Sequence, residues 1–232
     1  MSDSPSSPYT PGNPDVIVLD AKGLRALAHP VRVQLVGLLR KHGPSTATRL
    51  AERLGVNSGT ASYHLRQLAA AGFVEEDTGR GNARERWWRS IHRSTYFEGI
   101  DLVEREPEVA LAYLQSVAAV HTLRVQRAVN EFQTMPRPWR SAADMSDWAL
   151  RLTPEETVRL RDELHDVLAR YRRDVPEEAA VAPEGAERVG LITYILPELD
   201  APVPGADPAG DPAGDPDDDP DGGGGTAGTG PS

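Results

Sequence analysis

Hydroxyl, phenol, guanidinium and amide side chains share one face of the segment SGTASYHLRQL, residues 58–68. Helical spacing places Ala61, Leu65 and Leu68 on the opposite, apolar face. A face that meets only water usually carries strong helix formers, whereas this one begins with small residues that weaken a helix. Its side chains are suited to hydrogen bonds with phosphates and base edges. The polar positions are Ser58, Gly59, Thr60, Ser62, Tyr63, Arg66 and Gln67. The alternative is the ordinary solvent-facing side of a small helical domain.

Arginines are concentrated in the segment that follows. Residues 73–77 and 84–91 are predicted strands, and the loop TGRGNA between them contains two glycines, as is typical of a β-hairpin. Arginines in such a hairpin can contact phosphates or an adjacent minor groove. For Arg86 and Arg89, covering the neighbouring tryptophans is an equal alternative. The hairpin candidates for nucleic-acid contact are Arg80, Asn82, Arg84 and Arg86.

Helical elements precede both segments. Residues 16–19 can form a short strand, and the helical pattern after it is broken at His29-Pro30, with Pro30 suited to the first turn of the next helix. Ser45 is the predicted cap of a third helix that ends at Gly55. Asn57 or Ser58 then caps the helix of the polar face. Three helices, a fourth after a tight turn, and a hairpin make the order of a winged helix-turn-helix domain.

The charge of the chain is distributed unevenly. The 232 residues have a net charge of -10 and a pI of about 5.1. Residues 20–100 contain 13 Lys and Arg against 7 Asp and Glu, a net charge of +6. Residues 101–174 contain 11 against 13, and residues 175–232 contain 1 against 13. The acidity therefore comes mainly from the last segment, and the region with the polar helix is basic enough for a nucleic-acid partner.

Several function classes are disfavoured by what the sequence lacks. Without cysteine, disulfides, thiolate metal sites and a cysteine nucleophile are excluded. The N-terminal residues do not have the pattern of a secretory signal, and no apolar run approaches the roughly 20 residues that span a bilayer. No phosphate-binding glycine loop or Ser/His/Asp order indicates an enzyme. We expect a cytoplasmic, non-enzymatic protein with no cofactor and no membrane partner.

The second half of the chain predicts a long helix and a small α/β unit. Apolar residues recur at helical spacing over residues 107–132, and they exceed one narrow stripe. Residues 148–152 alternate like a strand, Thr153-Pro-Glu-Glu is a capping box, and residues 188–196 are rich in β-branched residues. The order is β-α-β. We predict that the long helix carries a dimer contact; burial against the β-α-β unit is the alternative.

The motifs of the first hundred residues resemble those of a known family. ALAHPVR at 26–32, AERLG at 51–55, TASYHLRQL at 60–68 and AGFV at 71–74 are similar to ArsR-type winged helix-turn-helix transcriptional regulators. The resemblance covers about residues 18–92. It implies a homodimer on a pseudo-palindromic operator, with helix 58–70 in the major groove and residues 79–86 as the wing.

The resemblance also implies a structural role for His29, and the DNA-binding hypothesis assigns roles to the polar residues of the helix and wing. Gly59, Thr60, Ser62, Tyr63 and Gln67 are expected to contact bases. His29 is expected to order a helix junction. Phosphate contacts are expected from Ser58, His64, Arg66, Arg80 and Arg84.

This chain departs from the metal-sensing members of that family because it has no cysteine. Asp162, His165 and Asp166 have ligand-like spacing, but a solvated polar face explains them better than a metal site. An unknown small-molecule effector remains open.

The predicted fold is mainly α (α+β). We expect a disordered N-terminus (1–14), a winged helix-turn-helix DNA-binding domain (15–95), a helical or α/β dimerisation or effector region (96–199) and a disordered acidic tail (200–232). The predicted function is sequence-specific binding of double-stranded DNA in transcription regulation. The alternative is a winged-helix module for protein interaction, without DNA binding.

Overall fold

The computed structural model describes residues 14–82, 85–97, 100–172, 174 and 182–199. The chain divides into two units, Met1–Thr193 and Tyr194–Ser232. The predictions of disorder at the two termini fall on residues outside this description, except for Pro14, which lies in a turn.

Helices and short strands alternate in the first hundred residues. In chain order they are β1 (Val16–Val18), α1 (Ala21–Leu27), α2 (Pro30–His42), β2 (Ser45–Thr46), α3 (Ala47–Leu54), α4 (Ser58–Ala70), β3 (Val74–Asn82), β4 (Glu85–Ser90) and β5 (Ser94–Tyr96). Helices dominate the remainder: α5 (Ile100–Arg105), α6 (Pro107–Glu131), a short 3-10 turn (Phe132–Thr134), α7 (Arg137–Ala142) and α8 (Pro154–Ala169).

The strands form two small sheets. β1 pairs with β5 in parallel, which joins the start of the domain to its end. The second sheet has the order β2-β4-β3 and is antiparallel, so the hairpin β3–β4 is anchored next to α3 through β2. β3 extends further than the predicted strand over 73–77, whereas β4 is slightly shorter than the predicted strand over 84–91. The register is irregular between Glu76 and Gly81. The wing is therefore an extension of a sheet that is fixed to the helices.

Side-chain caps set the helix boundaries as capping rules predict. Asp20 Oδ1 accepts a hydrogen bond from Gly23 N at 2.7 Å at the start of α1. His29 Nδ1 accepts one from Val31 N at 3.2 Å, directly before Pro30. The prediction that His29 orders this helix junction is confirmed. The predicted capping box at Thr153 and Glu156 is also confirmed.

The cap of α3 was assigned one residue too early. Thr46 Oγ1, not Ser45, accepts the hydrogen bond from Arg49 N, at 3.4 Å. Ser45 instead pairs with Trp88 in the sheet. Thr46 pairs with Trp87 in the same strand, but it directly precedes Ala47, the first residue of α3, and so it occupies the capping position.

A single core holds the N-terminal helices and the hairpin together. Side chains from α1, α2, α3, α4 and the start of β3 are almost completely buried in it. Burial of each large apolar side chain stabilises the fold by about 1.5–3 kcal/mol. The largest fully buried side chains are Leu24, Leu35, Leu50, Leu65, Leu68, Phe73 and Val74. The apolar face of α4 is therefore packed firmly into the core.

The long helix α6 covers this domain with only part of its surface. Ala110, Tyr113 and Ser116 are buried, and the Tyr113 ring contacts Phe97 edge-on at 5.5 Å between centroids. Leu111, Leu114, Val125 and other apolar residues along α6 remain exposed. The predicted helix over 107–132 is confirmed to within one residue.

The predicted C-terminal β-α-β unit is not formed. α8 is present, but residues 148–152 and 188–196 pair with no strand in the described part of the chain. Trp148 is 82% exposed, and Leu196 is likewise exposed. Alternation of residue types suggests a strand, yet a strand also requires a partner for its backbone groups, and none is provided here.

Candidate nucleic-acid interface

A tight turn joins α3 to α4. Gly55 has φ of 67°, the left-handed conformation that favours glycine, and Val56 N donates to Ala51 O at 3.1 Å. Asn57 then caps α4, because its Oδ1 accepts a hydrogen bond from Thr60 N at 2.7 Å. Of the two caps left open by the sequence, Asn57 is the correct one.

α4 separates its apolar and polar sides as the sequence predicted. Ala61, Leu65 and Leu68 are completely buried. Tyr63 is 52% exposed in spite of its large ring. Ser58, Gly59, Arg66 and Gln67 are also exposed, and Thr60 and Ser62 are half-buried at the edges of the polar face. These seven residues form one continuous outer face of α4.

Gly59 has a local role that the sequence did not reveal. A Cβ at this position would lie 3.2 Å from Asn57 Oδ1, which is tighter than an ordinary contact. The glycine therefore leaves room for the capping side chain, in addition to keeping the helix surface slim.

His64 is not part of this face. The structure buries it to 7% exposure, with its ring 4.4 Å from the His29 ring, centroid to centroid. The prediction that His64 contacts phosphates is therefore wrong. Its helical position lies on the inner side of α4, and packing against the α1–α2 junction removes it from the surface.

The two histidines lie in a partly buried environment, close to the positive charge of Arg32. Burial, and then the charge of Arg32, lowers the pKa of His29 below its usual value. Burial, His29 and Arg32 lower the pKa of His64 in the same way. Within the described residues, His64 Nδ1 and Arg32 Nε are buried without a hydrogen-bond partner. Both imidazoles are favoured in their neutral forms.

Each described arginine of the wing already has an acidic neighbour. Arg80 Nε lies 3.4 Å from Asp77 Oδ2, Arg86 Nε lies 3.9 Å from Glu76 Oε2 and Arg89 lies 2.7 Å from Glu75 Oε1. All three guanidinium groups remain mostly exposed. Such exposed pairs contribute about 0–1 kcal/mol, so phosphates can replace the carboxylates. The side chain of Asn82 and all of Arg84 lie outside the described residues.

Arg49 is a candidate that sequence reasoning missed. It is exposed at the beginning of α3, and its guanidinium carbon lies 5.1 Å from the centroid of the Trp87 ring. The contact links α3 to the wing. The first helix of a helix-turn-helix crosses the nucleic-acid backbone. An arginine near the start of that helix could therefore have been predicted as a phosphate contact.

Two other features, a metal-binding cluster and a membrane-spanning helix, were also sought among the described residues. In those ranges, no group of three or more metal-ligating side chains lies close enough to hold a metal ion. No helix among them has the length and apolar character required to cross a bilayer.

Comparison with known proteins identifies the domain. A family model described as a helix-turn-helix domain matches residues 27–77, which run from the end of α1 into β3. No curated protein matches the chain significantly.

Two solved structures are similar to part of the chain. One is the homodimeric winged helix-turn-helix DNA-binding domain of Mb0332 from Mycobacterium bovis, a possible ArsR-family transcriptional regulator. It is 29% identical, covers 44% of this chain and 79% of that chain, and has a TM-score of 0.27. The other, disulfide-formed AbfR, is 14% identical, covers 44% of this chain and 68% of that chain, and has a TM-score of 0.25.

Both structural similarities are weak, whereas the family model, the motifs and the order of elements agree on a helix-turn-helix domain. The turn at Gly55 joins the two helices of the motif, and the hairpin β3–β4 follows as the wing. The N-terminal part of this chain contains a helix-turn-helix domain, and the hairpin that follows it gives the order of elements of a winged helix-turn-helix domain.

Proposed function

We propose that this protein is a transcriptional regulator that binds double-stranded DNA as a homodimer. The observation that carries the proposal is the outer face of α4, where small and hydrogen-bonding side chains are exposed while the inner face is locked in the core. In helix-turn-helix complexes, the N-terminal part of the second helix enters the major groove. The small residues at the start of α4 allow such a close approach.

The side chains of α4 and the wing have different roles in this proposal. Base edges are contacted by Gly59, Thr60, Ser62, Tyr63 and Gln67, whose groups suit direct hydrogen bonding or apolar contact. Phosphates and the flanking groove are contacted by Ser58, Arg66, Arg80, Asn82, Arg84 and Arg86, to which Arg49 is added.

The homodimer is formed through α6. Positions 111, 114, 118, 121, 125, 128 and 132 repeat at intervals of three and four residues, and all but His121 are Leu, Ala, Val or Phe. Leu111, Leu114, Val125 and Phe132 are exposed. This is the spacing of a coiled-coil seam. A symmetric pair of α6 helices would carry two α4 helices, which need a separation of about 34 Å to reach successive major grooves.

The test begins with duplex fragments recovered by the full chain from genomic DNA. Affinity for the best fragment is then measured by fluorescence anisotropy for Tyr63→Ala and for a matched control, Tyr171→Ala. Tyr171 is 72% exposed and follows α8. Since a base contact contributes about 1–3 kcal/mol, we expect Tyr63→Ala to weaken binding by at least about fivefold and the control to leave it unchanged.

Salt dependence provides the second measurement. Binding that involves phosphates must weaken steeply as salt rises. If no genomic fragment is retained, or if both tyrosine variants behave alike, the DNA-binding proposal is wrong. Retention of a protein partner by the winged helix without DNA would then favour the interaction module.

A further inference from the structure

A large surface cavity lies on the side of the long helix, and its lining is rich in cations. It has a volume of about 1080 Å³ and is bordered by α2, by the end of α3, by the hairpin β3–β4 and residues 90–94, by the second half of α6 and by residues 188–190. Pockets of this size accommodate small molecules. The basic side chains of the lining are Arg40, Lys41, His42, Arg53, Arg80, Arg89, His92, Arg93, Arg124, Arg127 and Arg188, and its carboxylates are Asp15, Asp77 and Asp174.

Direct contacts hold part of this cluster in place. Arg188 donates to the backbone oxygen of Lys41 at 2.9 Å and is paired with Asp174. The Arg124 guanidinium lies against Gly190, where an added Cβ would come within 3.2 Å of it. Three elements distant in sequence therefore bring their charged groups to one place.

The positive charges are close enough to affect each other. Burial, and then Arg188 and Arg124, lowers the pKa of Lys41 below its usual value. Burial, followed by Arg53 and Lys41, lowers the pKa of His42. Asp174 acts in the opposite direction on both pKa values. Among the described lining residues, three carboxylates face nine lysine and arginine side chains, so positive charge is in excess.

We infer that this cavity binds a small, multiply charged anion, bearing phosphate or carboxylate groups. Guanidinium groups bind both kinds of oxyanion through paired hydrogen bonds. The cavity also has an apolar side, formed by Leu38, Val120, Leu123 and Val189, which would accept the non-polar part of an organic anion.

The test is calorimetric titration of the full chain with two probes, pyrophosphate and citrate. We expect at least one to bind saturably, one per chain, and the stronger probe identifies the phosphate or the carboxylate class. Arg124→Gln and Lys41→Gln should each weaken that binding by about tenfold, because each removes a charge-assisted hydrogen bond. Arg159→Gln is the matched control, since Arg159 is exposed on α8 and is not part of the cavity lining.

Two outcomes would overturn the inference: absence of saturable binding of both probes, or an equal loss in the control variant. A third measurement separates the cavity from the proposed DNA interface. Arg124→Gln should leave DNA affinity within about twofold of wild type, and a parallel tenfold loss would assign these cations to DNA instead. The calorimetric result remains decisive even if the protein binds no DNA.

Discussion

The imidazole rings of His29 and His64 face each other behind the outer surface of α4, at 4.4 Å between centroids. Arg32 on α2 and Tyr63 on α4 are the other titratable neighbours of this pair. Protonation of either ring places a second positive charge beside Arg32 in a partly dehydrated position. The free-energy cost of this protonation weakens the packing between the α1–α2 junction and α4.

Acid should therefore destabilise this domain. Both histidines have pKa values below the ordinary 6.5 in the folded chain. Their contribution to stability is fully present above pH 6.5 and is lost as the pH falls through the lowered values. Urea unfolding at pH 7.5 and pH 5 should show a smaller pH-dependent loss for His64→Leu than for wild type. Equal pH dependence in wild type and His64→Leu would contradict this.

The misassignment of His64 shows what residue type alone can obscure. At about 100° per residue, position 64 is only about 60° from Ala61 on the helix, at the border of the buried side. The polar imidazole suggested a surface position, and tertiary packing against His29 decided otherwise. The same periodicity was sufficient for Leu65, Leu68, Tyr63 and the rest of the outer face.

The N-terminal cap of α4 should have a measurable energetic role. Asn57 is exposed and accepts the hydrogen bond from Thr60 N, so its substitution affects the helix end without disturbing the core. We expect Asn57→Ala to lower the free energy of unfolding by about 1 kcal/mol. Asn57→Ser, which can still cap, should lose much less. Equal stability of wild type and Asn57→Ala in urea denaturation would show that the cap is unimportant.

The wing should contribute charge rather than sequence preference. On the proposed function, Arg80→Gln should weaken binding to all duplexes similarly and reduce the slope of log affinity against log salt by about 1. The free energy of unfolding should change by less than about 0.5 kcal/mol, since the Arg80 guanidinium is mostly exposed in its pair with Asp77. Arg159→Gln is the control. An unchanged salt slope would exclude a phosphate contact for Arg80.

Local signals predicted the longer helices, missed the short helices α5 and α7, and predicted C-terminal strands that are not formed. Pro30, Gly55, Asn57 and the capping box at Thr153 act within a few residues, and each marks a helix boundary where the structure has one. A strand depends on a partner elsewhere in the chain, which no local pattern specifies. The hairpin β3–β4 could be predicted because its two strands pair with each other and are neighbours in sequence.

The exposed seam of α6 should determine the oligomeric state of the whole protein. Leu114 is 45% exposed in the single chain, so Leu114→Lys should fold normally. In a symmetric dimer it removes two apolar contacts and introduces two charges. We expect the dimer dissociation constant in sedimentation experiments to rise by at least about tenfold.

Leu150→Lys is the matched control, because Leu150 is exposed outside any helix or strand. A wild-type chain that sediments as a monomer would contradict the dimer, and an unaffected Leu114→Lys dimer would move the interface to another surface.

The carboxylates beside the wing arginines have a consequence for how the protein finds its target. Glu75, Glu76 and Asp77 already satisfy part of the charge of Arg89, Arg86 and Arg80. On the proposed function, each phosphate contact made by one of these three arginines with a random duplex must first displace its carboxylate partner. This displacement reduces the binding free energy that the arginines gain from backbone charge alone. The protein would then spend less time on unrelated sequences during its search, and discrimination would depend more strongly on the base contacts of α4.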